Sequence, residues 1–380
     1  VVRTGPTPEL VLLAAVALLC GLGLVMVYSA SSVLSVARDG SSWSIVSRQA
    51  MWMLLGVGAA VVAARIPLEI WRDRLTFPVL VAAAVPLGWL VAGVVARSLF
   101  SASLPFVTEV NGATRWLAHG PLQVQPSELA KLALVLVLAR ILADRRRDLG
   151  TWEGLKPVLV VTGLLMLFVI TGDDLGTTVL LGIVALVMLF LAGAPVRVVA
   201  GLLAALGVAA LAAIRFLQGF RAERITAFLN PDASTAAGHQ LEQAQIGLAS
   251  GGLFGSGPGY SRAKWGFLPE AHTDFILAVI GEEFGLVGSL LVIGLVVAFV
   301  IAGSLIALRS RSRYGRLVAF GITTWIGVQA LINIGVTVGT LPTKGITLPF
   351  VSYGGSSLAT SLVGVGILWS VAQQRPARRR

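Results

Sequence analysis

The chain alternates between long apolar runs and short polar breaks. A hydrocarbon core of about 30 Å needs roughly 20 apolar residues of helix. Ten segments meet that need, at about 9–30, 48–65, 75–96, 126–143, 156–171, 175–194, 197–215, 273–307, 317–340 and 349–373. The pattern predicts an all-α, polytopic integral membrane protein, a single ten-helix domain over residues 1–380. The first run is too long and ends too late for a cleavable signal, and other spans follow it. Two breaks are long, about 97–125 and 216–272, and both mix Gly, Pro and aromatic residues with charged ones. Long loops in compact proteins are usually functional or disordered. In the second, Phe216, Leu217, Phe220, Ile225, Phe228 and Leu229 recur at helical spacing, with Arg221, Glu223 and Arg224 between them. That suggests an amphipathic helix on the membrane surface, guiding lipid or packing over the bundle.

Composition agrees with this reading. Hydrophobic residues make up 56% and charged residues 12%, against about 25% charged in a soluble domain, so an ordinary soluble enzyme is excluded. The single cysteine, Cys20, cannot form an internal disulfide, and with three histidines a zinc site is not expected. The formal charge of +11 would otherwise suggest nucleic acid, but its distribution does not. Ten spans put both termini on one side. That side holds 18 of the 29 Lys and Arg residues in short segments, among them Arg145, Arg146, Arg147 and Arg378, Arg379, Arg380. The positive-inside rule makes this the cytoplasmic side. The two long breaks then lie outside, and the charge serves orientation and anionic lipid, with no nucleic-acid partner.

Ionisable residues in apolar spans are functional candidates by default. Glu128 and Lys131 share a helix face at the start of the fourth span, either as a self-satisfying pair or as part of a charged cavity. Pro126 suits a first helical turn, and Ser127 can cap free amides there. Asp173 and Asp174 lie in a short turn, where capping of the next helix competes with a role in a site. Glu282 and Glu283 lie about nine residues into the eighth span, near mid-membrane at 1.5 Å per residue. Hydrogen bonding in the bundle or a neutral carboxyl would explain them. Pro269 stops any preceding helix, which places Asp274 in the first turn of the eighth span. There a helix N-terminus favours the carboxylate while desolvation opposes it, a setting for a general base. Lys344 lies in a tight loop before Val351-Ser352-Tyr353-Gly354-Gly355-Ser356-Ser357, whose small residues allow a broken helix lining a cavity.

The runs Asn111 to Trp116, Gln125 to Lys131, Asp174 to Thr177, Ser250 to Gly255, Leu268 to Phe275, Gly281 to Gly285 and Leu348 to Ser357, in this order, resemble the SEDS (shape, elongation, division and sporulation) family of peptidoglycan glycosyltransferases. The Pro342 to Pro349 stretch is closer to the division branch than to the elongation branch. Two positions depart from the family pattern: Asp173 stands where Pro is frequent, and His239 where Tyr is common.

The resemblance implies a ten-helix fold and polymerisation of lipid II, an undecaprenyl-diphosphate-linked disaccharide, outside the bacterial cytoplasmic membrane during cell division. It implies that Asp274 is catalytic. It implies a class B penicillin-binding protein transpeptidase and other divisome membrane proteins as partners. The candidate substrate-binding residues are Glu128, Lys131, Arg115, Lys344, Asp174, Glu270 and Ser352, with Arg262 and Lys264 as further cations for diphosphate. A divalent cation, Mg2+ or Mn2+, could assist the leaving diphosphate, although no closed ligand set is visible. A lipid II flippase, an elongation-type polymerase and a scaffold that only activates a partner are the alternatives.

Overall fold

The computed structural model describes residues 7–110, 113–119, 122–144, 148–216, 228, 235–343 and 345–374. The described residues include eleven α-helices: α1 (Pro8–Asp39), α2 (Ser44–Arg65), α3 (Leu68–Phe100, with a π turn at Trp71–Leu75), α4 (Pro126–Ala143), α5 (Trp152–Thr171), α6 (Leu175–Leu191), α7 (Val196–Phe216), α8 (Ala236–Ser250), α9 (Ile276–Arg309), α10 (Arg313–Thr337) and α11 (Gly355–Ala372). All except α8 correspond to the ten apolar runs. Seven are long and apolar enough to cross a membrane. Of the other three, α4 carries Glu128, Lys131 and Arg140 within 18 residues, and the apolar stretches of α6 and α7 are shorter.

Side-chain exposure separates helices facing lipid from helices facing protein. Leu54, Val62, Leu286 and Leu290 are each at least half exposed on α2 and α9, which a protein in water would not tolerate along whole helices. Helix α4 is buried nearly all round, packed by α3, α5, α6 and α10. A helix apolar on every face belongs in the centre of a bundle. Ser127, Glu128 and Lys131 are therefore buried at the end of the innermost helix.

The long breaks are structured where described. Residues 97–125 contain an antiparallel sheet in the order β1 (Val107–Val110), β2 (Ala113–His119), β3 (Leu122–Val124). Thr108 pairs with Trp116 and Glu109 with Thr114, so Arg115 has no residue opposite it. This is a β-bulge, which re-aims side chains. Arg115 and Trp116 consequently both line the cavity described below. Most of the expected amphipathic helix, residues 217–227 and 229–234, lies outside the described residues, and α8 follows at 236–250.

Helix α9 is broken at Gly285, with φ 66° and ψ −160°. The groups freed by the break pair with the loop after α8. Ser256 N donates to Glu282 O (2.9 Å), Gly257 N to Glu283 O (3.0 Å), Leu286 N to Gly252 O (2.9 Å) and Val287 N to Leu253 O (3.2 Å). Irregular backbone in a bundle persists only when its polar groups are satisfied in this way. The stretch after the break, Leu286 to Leu308, is 23 residues without a charge, about 34 Å of helix, long enough to cross a bilayer alone. Glu282 and Glu283 lie just before the break. Both are used in the bundle. Glu282 accepts from Ser261 Oγ (2.5 Å), Arg262 N (2.8 Å) and Ala263 N (3.3 Å), and Glu283 accepts from Ser29 Oγ (2.5 Å).

Gly255 has φ 84°, and a Cβ there would stand 2.1 Å from Glu283 O. Gly255→Ala is expected to cost at least ~1–3 kcal/mol from backbone strain, plus the overlap, and to lower the melting temperature in detergent by several degrees. Gly252→Ala also has positive φ but nothing within 4 Å, and should lower it less. Equal melting temperatures for the two variants would refute the docked-loop account.

Candidate active site

A cavity of about 1120 Å³ opens among the ends of α1 and α2, the sheet, α8, residues 263–274 and residues 345–357. Asp274 lines it together with Arg38, Arg48, Arg115, Lys264, Glu270 and His272. Asp274 precedes α9 instead of lying in its first turn, because the helix begins at Ile276 with Phe275 as its N-cap. Residues 270–275 form tight turns in which the N–H groups of Thr273, Asp274 and Phe275 all donate to Glu270 O. Glu270 adopts φ 57°, and its Oε2 accepts from Thr273 Oγ1 at 2.9 Å. The Asp274 carbonyl accepts from Asn333 Nδ2 (2.7 Å), which also donates to Ile346 O (2.8 Å). One buried amide on α10 thus holds both strands of chain that border the carboxylate.

The carboxylate has a cationic neighbour. A Cβ on Gly345 would stand 3.5 Å from Asp274 Oδ2 and 3.4 Å from Arg115 Nη1. The two charged groups converge over a glycine, which leaves space beside them. Arg115 Nε is buried without a hydrogen-bond partner. Lys264 also lines the cavity, its Nζ hydrogen-bonded to Gly259 O. The Glu282 carboxylate fixes the segment that carries Lys264 from behind, through the three bonds given above.

Glu128 and Lys131 do not line the cavity. They form an ion pair of 2.6 Å, 7% and 2% exposed in their side chains. Lys131 Nζ also donates to Gln329 Oε1 (2.8 Å) and lies 5.3 Å from the Trp325 ring. Gln329 Nε2 donates to Thr347 O (3.0 Å), and Thr347 is in the cavity wall. The pair therefore stands one residue behind the wall.

Asp174 is also buried, away from the lining. It caps α6 through Thr177 N (3.0 Å) and accepts from Gln125 Nε2 (3.0 Å) and Ser127 Oγ (3.1 Å). Ser127 thus braces Asp174 and does not cap α4, whose N-cap is Gln125. Asp173, in the position where the family favours Pro, has φ 66°, which Pro cannot adopt.

Ser352 is buried as well. Its Oγ accepts from Leu348 N (2.8 Å), while Gln49 Nε2 donates to its carbonyl (3.0 Å) and Gln49 Oε1 accepts from Gly354 N (3.2 Å). Tyr353 N donates to His272 O (2.9 Å). These bonds hold residues 348–354 out of helix, so α11 starts at Gly355 and not near 349. Lys344 lies outside the described residues. Arg262, offered as a further cation, is exposed and does not line the cavity.

Burial holds the His272 imidazole below its ordinary value of 6.5; Glu270 pulls it up and Arg38 pushes it further down. A histidine depressed in the folded state is protonated first in the unfolded chain. As pH falls below the unfolded value the unfolded state gains protons and stability drops. The melting temperature is expected to fall from pH 7 to pH 5, and to fall less in His272→Gln; equal slopes would contradict this assignment. Among the described residues no group of three or more His, Cys, Asp or Glu side chains could hold a metal ion.

Ten helices matching the apolar runs, seven of them long and apolar enough to cross a membrane, around a polar cavity lined by residues of the Leu268–Phe275 and Leu348–Ser357 runs define a multi-pass protein of the SEDS class. The profile of the FtsW/RodA/SpoVE family, described as cell cycle protein, matches residues 10–377, and the chain belongs to that family. It is 39% identical over 371 residues to a probable peptidoglycan glycosyltransferase FtsW of Geobacter metallireducens, covering 95% of this chain and 93% of that one. It is 43% identical over 373 residues to one from Nitrosococcus halophilus, covering 96% and 92%. Among solved structures, it resembles a chain from a peptidoglycan synthase complex, described for its coordination of polymerization and crosslinking, with TM-score 0.76 and 28% identity over 95% of this chain and 96% of that one. It also resembles the rod shape determining protein RodA of Thermus thermophilus, with TM-score 0.68 and 27% identity over 95% of each chain.

Proposed function

We propose that this protein is a peptidoglycan glycosyltransferase that polymerises lipid II at the outer face of the bacterial cytoplasmic membrane, in septal wall synthesis during division. The observation that carries the proposal is the convergence of the Asp274 carboxylate and the Arg115 guanidinium over Gly345 in one cavity. A carboxylate beside a fixed cation suits a reaction in which a hydroxyl loses a proton and an anionic group departs. Names of relatives, branch-specific residues and basic-residue asymmetry support the substrate, the division role and cytoplasmic termini.

The chemistry balances as one inverting displacement. The C4 hydroxyl oxygen of an acceptor N-acetylglucosamine forms a bond to the anomeric carbon of the donor muramic acid. The bond from that carbon to the undecaprenyl diphosphate breaks, and the α linkage becomes β. Asp274 takes the hydroxyl proton, and Arg115 neutralises charge on the departing diphosphate through charge-assisted hydrogen bonds. Glu270 shapes the turn that presents Asp274. The Glu128–Lys131–Gln329 chain supports the wall through Thr347, and Asp174 and Ser352 brace the backbone next to it. Crosslinking of the strands falls to a class B penicillin-binding protein, with other divisome membrane proteins as further partners.

The purified protein, with its transpeptidase partner if required, is expected to convert labelled lipid II into lysozyme-sensitive glycan strands. Movement of lipid II across proteoliposomes without strand formation would instead identify a flippase and refute the proposal.

A further inference from the structure

The two lipid substrates each bring a diphosphate, and cations from different elements line the cavity. Arg115, on the sheet, stands beside Asp274. Arg38 in the last turn of α1 and Arg48 near the start of α2 line the same cavity. Arg38 acts electrostatically on His272, and the His272 and Tyr353 rings lie 5.5 Å apart. Burial pushes the Tyr353 phenol up, and the Arg48 charge pulls it back. Arg38, His272, Tyr353 and Arg48 all line the cavity. Asp39 approaches Arg48 at only 3.5 Å, with both groups substantially exposed, a contact of little energetic weight. Lys131 cannot serve this wall, because Glu128 neutralises it behind Thr347.

Substrate shape decides which diphosphate goes where. The donor's diphosphate is bonded to the reacting carbon and must lie close to the base. The acceptor's reacting hydroxyl and its own diphosphate are at opposite ends of a disaccharide. The acceptor's diphosphate must therefore be held a disaccharide's length from Asp274. Arg115, beside Asp274, suits the first position, and Arg38 and Arg48, on other elements of the same lining, offer cations for the second. We propose that Arg38 and Arg48, with Tyr353, form a diphosphate subsite for the acceptor lipid. The inference rests on the polymerase reading above and adds to it a division of the cavity into two anion subsites.

Two measurements test it. In steady-state polymerisation, Arg38→Gln/Arg48→Gln should raise KM for lipid II by about tenfold or more, the scale of a lost charge-assisted contact, with a much smaller change in kcat. Arg38→Lys/Arg48→Lys, which keeps both charges, should recover most of that loss. Both arginines are exposed, so the variants should fold, and either single glutamine variant gives the same reading if the double does not. In the non-turning Asp274→Asn protein in nanodiscs, lipid II should bind with two equivalents, falling to one when both arginines are also replaced by glutamine. Two equivalents retained with KM unchanged would overturn the subsite and leave the polymerase reading standing. Wild-type protein that binds lipid II but makes no strands would overturn the polymerase reading and is visible separately.

Discussion

Lys131→Met is expected to destabilise the protein severely. It removes one member of a buried ion pair and leaves the Glu128 carboxylate, 6% exposed overall, without its cation. Breaking a buried pair from one side costs about 3–5 kcal/mol, because the remaining charge has lost its water as well as its partner. Gln329 Oε1 would also lose one of its two donors and keep Trp325 Nε1 at 3.0 Å, which weakens the hold on the amide that donates to Thr347 O. The double variant Glu128→Gln/Lys131→Met removes both charges and should recover most of the melting temperature. Polymerisation should stay at least about tenfold below wild type, because the wall behind Thr347 remains loosened. A single variant that melts with wild type would show that the pair is not buried as described. A double variant with full activity would remove the pair from the catalytic support.

Helices were legible from the length of the apolar runs, because bilayer thickness constrains it. All ten predicted spans have a helix. Their ends at the site were not legible. The starts near 273 and 349 moved to Ile276 and Gly355 because Asn333 and Gln49, remote in sequence, hold those backbones in turns. Both are polar residues in apolar runs, and Asn333 stands four residues after Gln329 on α10, a spacing that puts the two on one helix face. That signal was present and was missed. The break in α9 was equally hidden: Gly285 reads as a packing glycine until the 252–257 loop is seen filling the gap. The Asn111-Gly112 pair between β-prone runs is a hairpin signal in the sequence, and β1 and β2 flank it. Arg115 emerged from motif resemblance, whereas its orientation depends on a bulge that only pairing register defines. Arg38 and Arg48 contributed to orientation as charges on one side, but their place in the cavity depends on packing among α1, α2 and residues 272–353.

The local carboxylate cluster required the fold. Asp274, Glu270, Glu282 and Glu283 lie within fourteen residues of sequence, yet they do different work. Glu282 and Glu283 are occupied by hydroxyl and amide donors facing away from the cavity, while Asp274 and Glu270 line it. In the sequence, Asp274 already stands apart after Pro269 at the start of the eighth span, while Glu282 and Glu283 lie inside it. Burial and hydrogen-bond partners add which carboxylates are held in the bundle and which reach the cavity.

Asp274→Asn provides the most direct test of the central claim. The change keeps size, shape and the backbone carbonyl that Asn333 binds, and removes the negative charge and with it the ability to accept a proton. Loss of a positioned general base slows a reaction by about 10²–10⁴-fold. Purified wild-type and Asp274→Asn proteins, matched in melting temperature, should be given the same labelled lipid II. The account predicts lysozyme-sensitive strands from wild type and none above background from the variant within the same time. Strands formed by the variant at a rate within tenfold of wild type would contradict it.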